Sequence, residues 1–131
     1  MWEHNGQHLD SIPEGYTSFV YQITNLIDGR KYIGKKLFVF TKTKTLKGKR
    51  KKIKEESDWK DYWSSSEELK ADVAKLGKEN FKREILHLCK NKGTASYLEA
   101  KLQLFNEVLE KPNEWYNAIV SCRVHRNHIK L

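Results

Sequence analysis

A chain of 131 residues, 38% of them hydrophobic, is long enough for one domain around a modest core and too short for a second. Its net charge of +8 and isoelectric point near 9.4 favour an anionic partner, nucleic acid ahead of an acidic membrane surface. No window nears the roughly 18 consecutive apolar residues of a membrane span, "MWEHNGQHLD" lacks a signal-peptide core, and Cys89 and Cys122 form no CxxC pair, so a cytoplasmic chain with reduced thiols and no membrane contact is expected.

Residues 1–16 read as an irregular arm, punctuated by Pro13 and Gly15. Residues 18–24 are strand-like, "NLIDG" supplies turn residues, and "RKYIGKKLFVF" gives a second strand, so the two predict an antiparallel hairpin. Tyr21 and Tyr32 then project from one face. Cross-strand aromatic packing explains such a pair without any chemistry. Gly34 inside the strand pattern marks a bulge or a close backbone approach. Alternation sends Lys35 and Lys36 to opposite faces, placing one beside Tyr32, and the cluster then resembles an anion site.

Twelve of the 25 Lys and Arg residues fall between Arg30 and Lys54, a stretch without Asp or Glu. Its centre, a basic insertion at about 41–56 that carries Lys47, Lys49, Arg50, Lys51 and Lys52, has too few apolar residues for a buried element. It reads as a loop or a projecting β-hairpin, either touching phosphates or simply solvated. "SDWKDYW" predicts a short helical turn whose Trp59, Tyr62 and Trp63 either complete the core or stack on unpaired bases. Ser64 with Glu67, or Ser65 with Glu68, has the spacing of a capping box; Leu69, Val73 and Leu76 share a helix face, and Gly77 is the stop. "FKREILHLC" is a third strand. "SYLEAKLQLFNEVLE" predicts a helix with Leu98, Leu102, Phe105 and Leu109 on one stripe, ended by Pro112. Ser96 and Glu99 also have capping-box spacing, and residues 121–131 form a basic tail. The order strand, strand, helix, strand, helix predicts an α+β fold, a small three-stranded, mostly antiparallel sheet flanked by helices.

In chain order, "FVY" at 19–21, "YIG" at 32–34, the serine-led helix start, "FKREIL", the glutamate of "YLEAK" and "WYNAI" resemble the GIY-YIG nuclease domain, expected here over residues 17–120. Phe19 and Val20 stand where that family usually has Gly and Ile, and "YLEAK" and "WYN" look most like small phage-type members, some of them mobile-element endonucleases. The resemblance implies hydrolysis of DNA phosphodiester bonds, with Tyr21 as the leading general base and Tyr32 as an orienting or alternative base. It also implies one divalent ion, Mg2+ or Mn2+, held by Glu99, and no small-molecule cofactor. A phenol of pKa about 10 leaves about one tyrosine in a thousand ionised at neutral pH. Cations must therefore favour the phenolate, and Lys35 and Lys36 are the candidates. Asn117 either binds phosphate or fixes local backbone, and Ser65 is a substrate contact. Many members carry an arginine about two turns after "YIG"; here that region reads "FVFTKTKTLKGKR", which leaves Lys35, Lys36 or Arg50 to supply the cation. The implied partner is double-stranded or branched DNA, in a bacterial or phage-infected cell. The alternative is a nucleic-acid-binding protein that keeps the fold without the chemistry.

Overall fold

Asn5 and Gly6, both at positive φ (51° and 78°), form a two-residue turn that folds the N-terminus into a hairpin of β1 (Trp2–His4) and β2 (Gln7–Leu9). The computed structural model describes the backbone of residues 1–131 and the side chains of 1–45 and 47–131. This hairpin is its first departure from the irregular arm expected over 1–16. The cause is Trp2, which is 1% exposed and donates its indole N–H to the Trp59 carbonyl at 2.6 Å. Burying so large a side chain orders the residues around it.

The apolar run at 18–25 forms β3 (Ser18–Asn25), and β4 (Lys31–Leu37) returns antiparallel to it. The basic insertion is a hairpin, β5 (Val39–Leu46) and β6 (Lys49–Glu56), turning at Lys47 and Gly48, again both at positive φ. After a 3-10 turn at Trp59–Asp61 come α1 (Glu67–Leu76), β7 (Phe81–Cys89) and α2 (Lys92–Phe105). The main sheet runs β2-β1-β7-β3-β4, with β1 parallel to β7 and every other pair antiparallel. The fold is thus α+β as expected, but its sheet is mixed and five-stranded rather than three-stranded, with β5-β6 as a separate two-stranded sheet.

Two cores cover the two faces of β3. Phe19, Tyr21 and Ile23 pack with Trp2, Phe38 and Trp59 under α1, while Val20 packs with Ile33, Ala95, Val108 and Trp115 under α2. Trp59 is fully buried, and Tyr62 and Trp63 pack against the same core, so these aromatics complete it. The helix caps differ from the expected boxes. Ser66, rather than Ser64 or Ser65, caps α1 by accepting from Leu69 N, and Asn91 caps α2 by accepting from Thr94 N. Ser96 therefore lies inside the second helix, and its capping box with Glu99 does not form. That helix also stops at Phe105, well before Pro112, because Glu107 adopts a positive φ of 55° and turns Val108 inward. Phe105, at the end of the helix, and Leu109, beyond the turn, do not join the expected apolar stripe and are 81% and 48% exposed. The basic C-terminal residues fold back across the start of α2, where Asn91 donates to the His128 carbonyl and Lys130 N to Thr94 Oγ1. Among the described residues, no helix is long and apolar enough to cross a membrane.

The outer edge of β4 is covered by polar groups rather than by a sixth strand. Lys31 exchanges backbone bonds with residues 114 and 116, and the Asn117 amide imitates a strand by accepting from Ile33 N (3.1 Å) and donating to Ile33 O (2.8 Å). Gln103 adds a second donor to Ile33 O. Such cover removes an open edge that would otherwise pair with other chains. Asn117→Ala leaves the buried Ile33 N–H without a partner, and urea unfolding should show a loss of about 1–3 kcal/mol. Stability equal to that of the parent protein would mean the clamp carries none of the fold.

Candidate active site

The tyrosine pair follows from register. Tyr21 stands opposite Gly34 and Ile23 opposite Tyr32, so both phenols share the α1 side of the sheet, with ring centroids 6.2 Å apart. A bulge between β3 and β7 falls at Val20/Tyr21, where Leu86 is the extra residue. Gly34 is required by the close approach of Tyr21. A Cβ there would meet the Tyr21 hydroxyl and lie 2.6 Å from its Cζ and 2.8 Å from Tyr32 Cε1. Gly34→Ala should therefore displace a ring and lower any cleavage rate by about ten- to a hundredfold, as small misplacements of reacting groups do. Wild-type turnover in that variant would show that the tyrosine positions are not critical.

The three serines before α1 divide their roles. Ser66 caps the helix, the Ser64 hydroxyl accepts from Ser66 N, and Ser65 faces the site with its Oγ 3.2 Å from the Tyr32 hydroxyl. Arg30 holds this wall in place. Its guanidinium bonds to Asp28, Glu68 and Asp72 at 3.0, 2.8 and 2.7 Å and lies over the Tyr116 ring, tying α1 to the β3–β4 turn and to the strand-edge cover.

On the other side of β4, Glu99 projects from α2 next to Lys35. The half-buried Glu99 carboxyl has a pKa above its usual value because burial outweighs the Lys35 ammonium and backbone N–H, which pull it down. Among the described residues Glu99 joins no ion pair, since Lys35 Nζ is taken up by Ser96 Oγ at 2.6 Å. A half-buried carboxylate that joins no direct ion pair suits one divalent cation, whose charge would offset the burial. Among the described residues no cluster of three or more His, Cys, Asp or Glu side chains is present.

The lysines do not act on the phenols as expected. Lys36 Nζ pairs with Asp58 at 2.6 Å and sits 4.0 Å from the centroid of the Tyr62 ring, which itself packs edge-on against Tyr21. Burial first, then the neighbouring Tyr32, Tyr62 and Glu99, raise the Tyr21 pKa well above 10. Burial also raises Tyr32, against a smaller downward pull from the Ser65 hydroxyl. Burial therefore favours the neutral form of both phenols, and the two lysine ammonium groups bond to Ser96 and Asp58 rather than to a phenol hydroxyl.

The predicted residues are brought together only in part. Tyr32 and Ser65 line one open cleft of about 340 Å3, and Lys35, Lys36 and Ser96 line a second of about 410 Å3. Asn117 is 7% exposed with both amide atoms bound to Ile33, which leaves it the backbone-fixing role of its two expected ones. Lys47, Lys49, Arg50, Lys51 and Lys52 are all exposed on the separate β5-β6 sheet. Asp58 joins the site without having been foreseen, while Tyr62, read in the sequence as core or as a base-stacking residue, and Ser96, read as a helix cap, meet the two lysines instead.

The α+β order of hairpin, helix, strand and helix is the one the GIY-YIG resemblance implies, on a larger, mixed sheet than the three-stranded one expected. A family model described as "Putative endonuclease segE, GIY-YIG domain" matches residues 2–120. The chain belongs to the GIY-YIG endonuclease family, which is generally a family of nucleases. The match takes in the N-terminal hairpin as well as the domain expected over 17–120. No curated protein and no solved structure matches the chain.

Proposed function

We propose that the protein is a metal-dependent endonuclease that hydrolyses DNA phosphodiester bonds, with Tyr21 and Tyr32 handling the proton of the attacking water and Glu99 holding Mg2+ or Mn2+. The observation that carries this reading is the pairing of two close-packed tyrosines with a half-buried glutamate that joins no ion pair among the described residues and whose pKa burial raises. The ion, when bound, would neutralise charge developing on the phosphate and favour ionisation of nearby groups. Ser65 holds the Tyr32 hydroxyl in orientation. Lys35 lies next to Glu99 and can turn from Ser96 to a phosphate oxygen, taking the place of the arginine that the sequence lacks at its family position. Tyr21, neutral at rest, becomes a base only where the positive charge of the ion offsets the burial that raises its pKa.

The raised phenols also favour a second reading, a DNA-binding member of the family that has lost efficient chemistry. Incubation of the purified protein with supercoiled, branched and single-stranded DNA separates the two. Cutting of at least one substrate in Mg2+ or Mn2+, and none in EDTA, is expected of the nuclease. Binding without cutting on every substrate and with either ion would establish the second reading.

A further inference from the structure

The β5-β6 hairpin is a ribbon with two unlike faces. Register places Thr41 opposite Lys54, Thr43 opposite Lys52 and Thr45 opposite Arg50, and alternation puts all six side chains on one face. The other face carries Phe40 opposite Glu55, Lys42 opposite Ile53 and Lys44 opposite Lys51. There the charge is partly cancelled, because Glu55 lies 3.6 Å from Lys42 Nζ and 3.2 Å from Lys44 Nζ, and these lysines lower its pKa. On the threonine face, Arg50, Lys52 and Lys54 join no ion pair among the described residues, so their donors remain available.

We propose that this ribbon enters the major groove of duplex DNA with the threonine face toward the bases, so that it supplies sequence preference as well as charge. The inference rests on the reading of the protein as one that acts on DNA. Two strands about 4.8 Å apart with side chains on either side fit a groove about 12 Å wide. Eight residues per strand at about 3.3 Å each reach across several base pairs. The side-chain types match the groove as well. Arg50 and Lys52 can bond to guanine O6 and N7, while threonine offers a hydroxyl to base edges and a methyl to thymine.

The test is dimethyl sulfate protection of a duplex pool, run in EDTA so that no cutting intervenes, alongside binding measured against salt. The wild-type protein should protect guanine N7, the major-groove atom, at preferred sequences. Arg50→Ala/Lys52→Ala/Lys54→Ala should abolish that protection. Lys44→Ala/Lys49→Ala/Lys51→Ala, with the same charge change on the opposite face, should weaken binding and flatten its salt dependence while keeping the protected sequences. Thr41→Val/Thr43→Val/Thr45→Val preserves strand preference and charge, and should broaden sequence preference with the salt slope unchanged. Equal loss of protection from both charge variants, or no N7 protection by the wild-type protein, would overturn the inference. Protection of N7 by a protein that never cuts DNA would leave the inference standing and overturn the nuclease reading. Cutting without protection would do the reverse.

Discussion

Glu99→Gln is expected to lower DNA cleavage in Mg2+ by about a thousandfold, equivalent to about 4 kcal/mol of transition-state stabilisation. The substitution keeps side-chain shape and helix propensity while removing the charge proposed to hold the ion. DNA binding should survive, because the exposed lysines and arginines supply it. Stability should move in the opposite direction to activity. Burial raises the Glu99 pKa above 4.5, so the fold favours the protonated form; that contribution is present below pH 4.5 and is lost as the pH rises through the folded value. At pH 7 the bare carboxylate is therefore a burden on the metal-free fold, and the glutamine variant should melt slightly higher in EDTA. The gain should disappear below pH 4.5. A residue that served only as a cap would instead lower the melting temperature and leave cutting unchanged. Both quantities come from one pair of proteins, by plasmid nicking and by thermal melting across pH.

Tyr21→Phe deletes one hydroxyl and leaves the ring in its place between Trp2, Phe19 and Tyr62. Single-turnover cutting should fall by about a hundredfold or more, the range for loss of a general base. Because the Tyr21 pKa lies well above 10 in the resting protein, the base form grows tenfold per pH unit below it, and the wild-type rate should climb with pH through the neutral range. In the variant this climb should flatten. The shift also bears on stability. A phenol whose folded pKa is raised contributes stability that is full below its unfolded value of about 10 and is lost as the pH climbs further. The wild-type protein should therefore weaken in strong alkali, and Tyr21→Phe should weaken less. A variant with wild-type rate and wild-type pH profile would remove Tyr21 from the chemistry. If Tyr32→Phe then reproduced the loss, the base would be Tyr32.

The central hairpin and β7 were legible because apolar alternation and turn residues both marked them, and register then fixed the tyrosine pair. The N-terminal hairpin was not read, although "NG" between short strands is a turn signal. Its flanks carry mostly polar residues, and the contacts that order them, Trp2 with Trp59 and β1 with β7, are made far away in sequence. The α2 stripe was misjudged at its end, because periodicity carries on through Phe105 and Leu109 while the backbone turns at Glu107. Family order pointed to Glu99, and the earlier cap at Asn91 removes the competing capping explanation. The fate of the lysines was hidden, since Asp58 and Ser96, the groups that divert them, are far away in sequence. Alternation alone says on which face a charge begins, not which partner it finds.

Whether Glu99 holds the ion beside the tyrosines can be measured without any cutting. Mn2+ titrated into the protein with a non-hydrolysable duplex loses its free-ion electron paramagnetic resonance signal as it binds. The wild-type complex should take up one Mn2+ per chain, and Glu99→Gln should take up none in the same concentration range. Equal uptake by the two proteins would contradict the assignment of Glu99 as the ligand and, with it, the proposed site.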